Sequence, residues 1–501
     1  VSLTLERPAI PLFVLLLGVY AFFYQGGGWD QNARLDLVRA IAEQGRVSID
    51  DYRDNTRNLA CRGSDGRCPG EPAAGADHHY YSDQAPGTSW LAVPVALALD
   101  LLEGRPADPA SLGRRLYLIR LWTVSLASAL AAALLPGLLR RLRIRTGAGI
   151  AAALGYGLAT LAFPYATLFH GHALAAALLL FSLALLLRAR DDPGRPGLDV
   201  AAGLLGGAAF AVEVPAAGAV GAFALYAAAS RGSFRPALRF AAGAALPVLA
   251  VALYHTVAFG GPFTTAYEFS IAPDRARGWM GIGAPDAAAF WELTLGPYRG
   301  LFFSAPWLLL AAPGGYHLAR SLGARREALL CAAIVVFFFS MNLSLVDWAG
   351  GWTLGPRHLV PALPFLAIPA AAGLDWIGGL HTRQRRLLRA VAAALLLQSA
   401  ILMLAGVAVL PLVPVDIRHP FGEFLLPAFV TGELALNPVG AHGAVYDGSA
   451  PPQAWNFGQR LGLRGLWSLA PLLLFVAIAS SWLAVAVSRT AKCRPSEPLW
   501  P

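Results

Sequence analysis

Long apolar runs alternate with short polar breaks along almost the whole chain. Twelve runs, at about 8–26, 115–138, 148–168, 171–189, 198–214, 216–230, 238–258, 301–319, 327–345, 360–378, 389–412 and 466–488, approach the ~20 residues needed to cross a hydrocarbon core of about 30 Å. The pattern predicts an all-α polytopic membrane protein with about 12 transmembrane helices in one domain, 1–501. The two short runs around Pro215 predict a tight hairpin. The first run has no small-residue cleavage site behind it and reads as a retained helix.

Arginines orient the bundle. They crowd into brief connections: Arg140, Arg141, Arg143 and Arg145; Arg188, Arg190 and Arg195; Arg231, Arg235 and Arg239; Arg320, Arg325 and Arg326; Arg383, Arg385, Arg386 and Arg389. The positive-inside rule makes these cytoplasmic. The long loops 27–114, 259–300, 346–359 and 413–465 are then extracytoplasmic, and both termini of a bacterial inner-membrane protein are cytoplasmic. Composition agrees: 56% of residues are hydrophobic and 14% charged, against about 25% charged in soluble domains. The net charge of +9 resides almost wholly in arginine, Lys492 being the only lysine. We read this balance as membrane orientation; no nucleic-acid-binding signature is present.

Two further helices are predicted in the first outer loop. In NARLDLVRAIAEQG, Leu35, Val38, Ile41 and Ala42 share one face and Asp36, Arg39 and Glu43 the other, with Asn32 as cap and Gly45 as stop. This amphipathic pattern predicts an interfacial helix. The stretch 86–102 contains Pro94 and Asp100. If it spanned, the Arg140–Arg145 cluster would lie outside, so it is predicted as a juxtamembrane helix. Cys61 and Cys68 lie in the same loop, where oxidising surroundings favour a disulfide. No second ligand pair stands at zinc-site spacing.

Thirteen of the 30 acidic residues fall between Asp30 and Asp108, beside the outer membrane surface rather than at mid-helix, where a transporter is expected to carry them. Glu213 and Asp375 are acidic residues within the runs, both near predicted ends. The loop also carries His79-Tyr80-Tyr81-Ser82-Asp83-Gln84-Ala85-Pro86-Gly87, leading into the juxtamembrane segment.

In this order of elements the chain resembles the GT-C polytopic glycosyltransferases, in particular the aminoarabinose, mannosyl and arabinosyl transferase branch. In that branch the first outer loop runs from an acidic residue and helix, through a tyrosine-rich stretch, to an acidic-Lys-Pro-Pro motif and a short helix. Asp30 to Gly45, Tyr80-Tyr81-Ser82-Asp83 and Pro86 follow this order. Gln84 departs from it, standing where the family has a lysine that meets the lipid phosphate; glutamine donates a hydrogen bond but brings no charge. Further stretches resemble bacterial members of the superfamily: Gln31-Asn32-Ala33-Arg34-Leu35-Asp36, Phe169-His170-Gly171-His172, Phe259-Gly260-Gly261-Pro262-Phe263, Pro297-Tyr298-Arg299-Gly300-Leu301-Phe302 and Trp348 to Arg357.

The resemblance implies an inverting transfer of sugar from a polyprenyl-phosphate donor to a glycan, lipid or protein acceptor. Such a reaction needs one carboxylate base and cations on the leaving phosphate. Asp36 is the first candidate base and Asp30 the second, although Asp36 is also spaced to pair with Arg39. Arg357, Arg299, His170, His172 and His255 are candidates for the phosphate or substrate, with Gln84 and Tyr81 of the loop motif. Asp83 either caps the following helix or holds a divalent cation, Mg or Mn. There is no P-loop, GxGxxG after a strand, HExxH or G-x-S-x-G. Two other readings remain: a transporter or flippase for a lipid-linked or anionic solute, and an inactive relative that scaffolds envelope assembly.

Overall fold

A computed structural model describes residues 8–63, 68, 78–106, 108–272, 281–437 and 454–492. Asp65, Glu71 and Asp77 of the acidic loop, residues 438–453, and the tail carrying Cys493 and Arg494 lie outside the described residues.

The chain is a helical bundle. Seven described helices are long and apolar enough to cross a membrane, and three shorter apolar ones (Ala9–Phe22, Thr146–Leu158 and Gly197–Val212) accompany them. Large apolar side chains remain exposed along the outward faces, among them Leu225, Leu246, Leu249, Leu253, Leu473, Leu474 and Ile478, as hydrocarbon contact requires. Inside, helices approach closely through small residues. A Cβ on Gly203 would lie 1.9 Å from the Phe240 carbonyl oxygen, and one on Gly243 2.0 Å from that of Val200, so Gly197–Val212 and Arg235–Phe259 touch backbone to backbone.

Several predicted spans change shape. The run at 115–138 belongs to a longer helix, Ala110–Arg141, with a π turn at Leu121–Ser125. The run at 148–168 stops at Leu158 and resumes as the short helix Ala162–Ala166; Thr160 Oγ accepts from the Ala162 amide at 3.1 Å across the break. The run at 301–319 divides at Ala305, whose φ of −135° and ψ of +62° are non-helical because Pro306 follows. Around Pro215 the helices Gly197–Val212 and Ala217–Arg231 form the expected hairpin.

Neighbouring helices run in opposite directions, so the bundle has two distinct ends. Gly171–Asp191 begins at His172 and finishes at Arg188 and Arg190; Gly197–Val212 begins at Asp199 and finishes beside Glu213. The arginine-rich ends are clasped by ion pairs: Arg141–Asp191 at 2.8 Å, Arg190–Glu327 at 2.6 Å, Arg145–Asp375 at 2.7 Å, and Arg231 with Asp199.

Polar segments cover the opposite end. Strand Phe23–Gln25, directly after the first helix, pairs antiparallel with Ala454–Asn456, just ahead of the last helix. Leu59–Gly63 pairs with His78–Ser82, and the Cys61–Cys68 disulfide is present. The juxtamembrane helix spans Gly87–Glu103. The loop helix is Trp29–Arg39, extended by a π turn to Gln44 and stopped by Gly45 at φ +66°. It departs from expectation in two ways. It begins before Asn32, because Gly27 and Gly28, at φ +75° and +83°, turn the chain out of the strand early; Asn32 is therefore internal and donates to the Asn55 carbonyl at 2.6 Å. Nor is its polar face solvated: Gln31, Asn32, Arg34 and Asp36 are buried with Leu35, Leu37 and Val38. It is an interior helix made of polar residues, and the other outer segments supply their partners.

Candidate functional site

The glycine turn places Asp30 in the first turn of the loop helix, where the helix dipole favours a carboxylate. Asp30 is the centre of a charged cluster. Its Oδ2 accepts from Arg357 Nη1 and its Oδ1 from Asn58 Nδ2 at 2.8 Å. One turn on, Arg34 Nη1 donates to the Asp30 carbonyl at 3.1 Å and lies 3.7 Å from Oδ1. Arg357 is supplied by the 3-10 turn Arg357–Ala362 leading into Leu363–Gly379.

Glu213, one residue past the end of Gly197–Val212, extends the cluster. Its Oε1 is 3.5 Å from Arg34 Nη2 and 3.3 Å from His172 Nδ1. Gly171 permits this approach, since a Cβ there would lie 2.4 Å from Glu213 Oε1. The same crowding seats the juxtamembrane helix: a Cβ on Gly87 would lie 2.4 Å from the Ala211 carbonyl carbon, and Ser89 Oγ donates to the Arg34 carbonyl at 2.9 Å. His170 is 1% exposed, and neither ring nitrogen has a hydrogen-bond partner. Tyr165 and His172 flank its ring at 5.8 and 6.1 Å.

Burial sets the electrostatics. It pushes the Glu213 carboxyl up to about 7, against the pull of Arg34 and Arg357 and with the help of Asp30. It pushes His170 down to about 3 despite Asp30 nearby, so that imidazole is neutral at pH 7. Two arginines thus face one carboxylate and a second that is partly protonated at neutral pH. Arg34 and Arg357 are placed to meet an anionic group.

The structure brings together Asp30, Arg357, His170 and His172. Asp36, on another face of the same helix, is completely buried; Asn55 Nδ2 donates to its Oδ1 at 3.2 Å, and its Oδ2 has no partner. Burial holds its carboxyl well above the ordinary range. Asp36 therefore has no solvent access. Arg299 is buried and braces a loop: its guanidinium donates to the carbonyls of Thr353 and Gly351, the latter at 2.9 Å, and lies over the Tyr298 ring. Thr353 also meets the Tyr165 hydroxyl.

Tyr81, Asp83, Gln84 and His255 form a second group. Tyr81 packs on Phe259 at 5.4 Å and His255 lies 5.9 Å from the same ring. Gln84 Nε2 donates to Asp83 Oδ1 at 2.7 Å. Asn58 links this group to the first, since its carbonyl accepts from the Asp83 amide at 3.2 Å. Among the described residues no three His, Cys, Asp or Glu side chains gather where a metal ion would sit.

Sequence reasoning assigned no role to Arg34, Asn58, Glu213 or Tyr165. Glu213 carried a signal, an ionisable residue within a predicted span. Asn58 carried none, because its importance lies in contacts distant along the chain.

No protein-family model matches the chain, and no curated protein matches it. Solved structures do. ArnT from Cupriavidus metallidurans bound to undecaprenyl phosphate is 18% identical, with 96% of this chain and 75% of that chain covered and a TM-score of 0.51. The same protein in the apo state gives 17%, 94%, 73% and 0.47. The Archaeoglobus fulgidus oligosaccharyltransferase in the apo form gives 12%, 79%, 56% and 0.48. The first of these three, with its TM-score above 0.5, shows the fold: the chain has the polytopic membrane GT-C fold.

Proposed function

Taking the GT-C fold as premise, we propose that this chain is an integral membrane glycosyltransferase that moves a sugar from a polyprenyl-phosphate donor to an envelope acceptor on the extracytoplasmic side. The carrying observation is Asp30 bonded to Arg357 and flanked by Arg34, a few residues beyond the first apolar helix. The likeness to a protein solved with undecaprenyl phosphate supports this class of donor.

The donor phosphate lies between Arg357 and Arg34, and its isoprenoid tail runs between helices. Asp30 takes the proton of the acceptor hydroxyl as that oxygen bonds to the anomeric carbon. The bond from that carbon to the phosphate oxygen breaks, and its electron pair leaves with the phosphate. Arg357, released from Asp30, and Arg34 stabilise the charge that develops there. Neutral His170 supplies an uncommitted hydrogen-bonding group. Arg299 acts indirectly by holding residues 351–353. Gln84, bonded to Asp83, contributes no charge, and the two arginines replace it.

The test is transfer from a polyprenyl-phosphate sugar by the purified protein. Asp30→Asn is expected to lower the rate by about 10²–10⁴-fold, the usual contribution of a general base, while the thermal transition is retained. Transfer near the unsubstituted rate would overturn the reading. Solute uptake into proteoliposomes without sugar transfer would favour a transporter.

A further inference from the structure

A cavity away from the Asp30 cluster has no part in the proposed transfer. It measures about 820 Å³ and lies where strand Phe23–Gln25 meets Ala454–Asn456, beside the start of Ala110–Arg141 and the approach to the last helix. Arg114, Arg460 and Arg464 line it, together with Trp455, Tyr24 and Asn437.

Three observations indicate the ligand chemistry. First, the arginines are in excess: Arg114 pairs with Glu103 at 2.9 Å, whereas Arg460 and Arg464 form no ion pair among the described residues. Arg460 instead lies over the Trp455 ring, 5.0 Å from its centroid. Second, Tyr24 is 4% exposed, is held between Tyr117 and Trp455 at 5.8 and 5.3 Å, and its hydroxyl has no hydrogen-bond partner. A buried hydroxyl lining a cavity beside cations is placed to bond an anion. Third, the adjoining surface is apolar: Leu461 and Trp467 are 70% and 78% exposed, and Leu473 and Leu474 continue that surface down the last helix. The cations therefore sit where an acyl chain would lie alongside.

We propose that this cavity binds the phosphate-bearing headgroup of a membrane lipid, at a site separate from the donor phosphate. The phosphate sits between Arg460 and Arg464 and accepts from Tyr24, and the acyl chains follow Trp467 and Leu473. Tyr24 is six residues before Asp30, and an extended chain of that length spans about 20 Å at most.

The proposal is tested on the delipidated full chain by native mass spectrometry, titrating phosphatidic acid, diacylglycerol with the same acyl chains, and inorganic phosphate. Phosphatidic acid is expected to bind in preference to diacylglycerol. The exposed pair of substitutions Arg460→Ala and Arg464→Ala is expected to weaken it about 30-fold, about fivefold for each arginine at an anionic headgroup. Tyr24→Phe, which keeps the packing, is expected to weaken it about fivefold, and Asp30→Asn to leave it unchanged. Equal binding of diacylglycerol, or full binding by the doubly substituted protein, would overturn the site. Binding of inorganic phosphate without lipid would overturn the lipid assignment. Because Asp30→Asn removes transfer and not this binding, failure here is distinguishable from failure of the glycosyltransferase reading.

Discussion

At the arginine-rich end of the bundle, Arg190 reaches Glu327 at 2.6 Å and the Tyr226 hydroxyl donates to the same carboxylate at 2.6 Å. Arg145 uses its backbone amide and its side chain on Asp375. These pairs tie one helix to another, and Asp191 serves both Arg141 and Arg190 as Asp199 serves Arg231 and Arg239. At the opposite end of the same helices, Asp30 is shared among Arg357, Arg34 and Asn58, Glu213 is shared between Arg34 and His172, and His170 has no hydrogen-bond partner among the described residues. Buried polar groups are costly when unmatched. Ion pairs that join helices at one end therefore read as fastening, and the charged cluster beside the hydrogen-bond-free His170 at the other as a place kept for a ligand.

The sharpest way to break this contrast is within one helix. Asp30→Asn should reduce transfer by about 10²–10⁴-fold. Asp36→Asn, which removes an acidic group buried on another face of the helix, should leave transfer within about threefold and thermal stability unchanged or higher. The reverse result would return the base to Asp36. Next in size, Arg357→Ala should weaken binding of a polyprenyl phosphate by about tenfold to a hundredfold, the value of a charged hydrogen bond, whereas Arg145→Ala should not change it; lipid titration by native mass spectrometry compares them. At the fastening end, Glu327→Ala should cost about 1–3 kcal/mol of stability, read as a lower unfolding temperature in detergent, with the rate per folded molecule maintained.

The smallest effect concerns pH. Folding raises the Glu213 carboxyl from 4.5 to about 7, so over that window the folded chain holds a proton that the unfolded chain has lost. Its contribution to stability falls as pH rises through the window and is level above it. Ionisation also adds a negative charge beside Asp30, so polyprenyl-phosphate binding should weaken by a few-fold as pH rises through about 7. Glu213→Gln should flatten that step, and an unchanged profile would remove Glu213 from the site.

Much of the architecture was legible from local pattern. Apolar run length located the helices, arginine clustering separated the two ends, and the Cys61–Cys68 pairing and the juxtamembrane helix followed from their loop. Local pattern failed where partners are distant in sequence. The alternation around Asp36 matches a half-solvated helix, and only the packing of residues 53–58 and of the juxtamembrane helix encloses it. Asp30 and Asp36 were both carboxylates just after the first span, and 327 positions of chain separate Asp30 from the arginine that distinguishes them. Glu213 was visible as an intramembrane acid, but its neighbours Arg34 and His172 were not.

The pairing of Phe23–Gln25 with Ala454–Asn456 has a bearing on biogenesis. The segment leading to Asp30 is made more than 400 positions before its mate. A nascent chain from which Ala454–Asn456 has not yet emerged has nothing to close that ribbon, so the approach to Asp30 is finished only when this distant segment has been made.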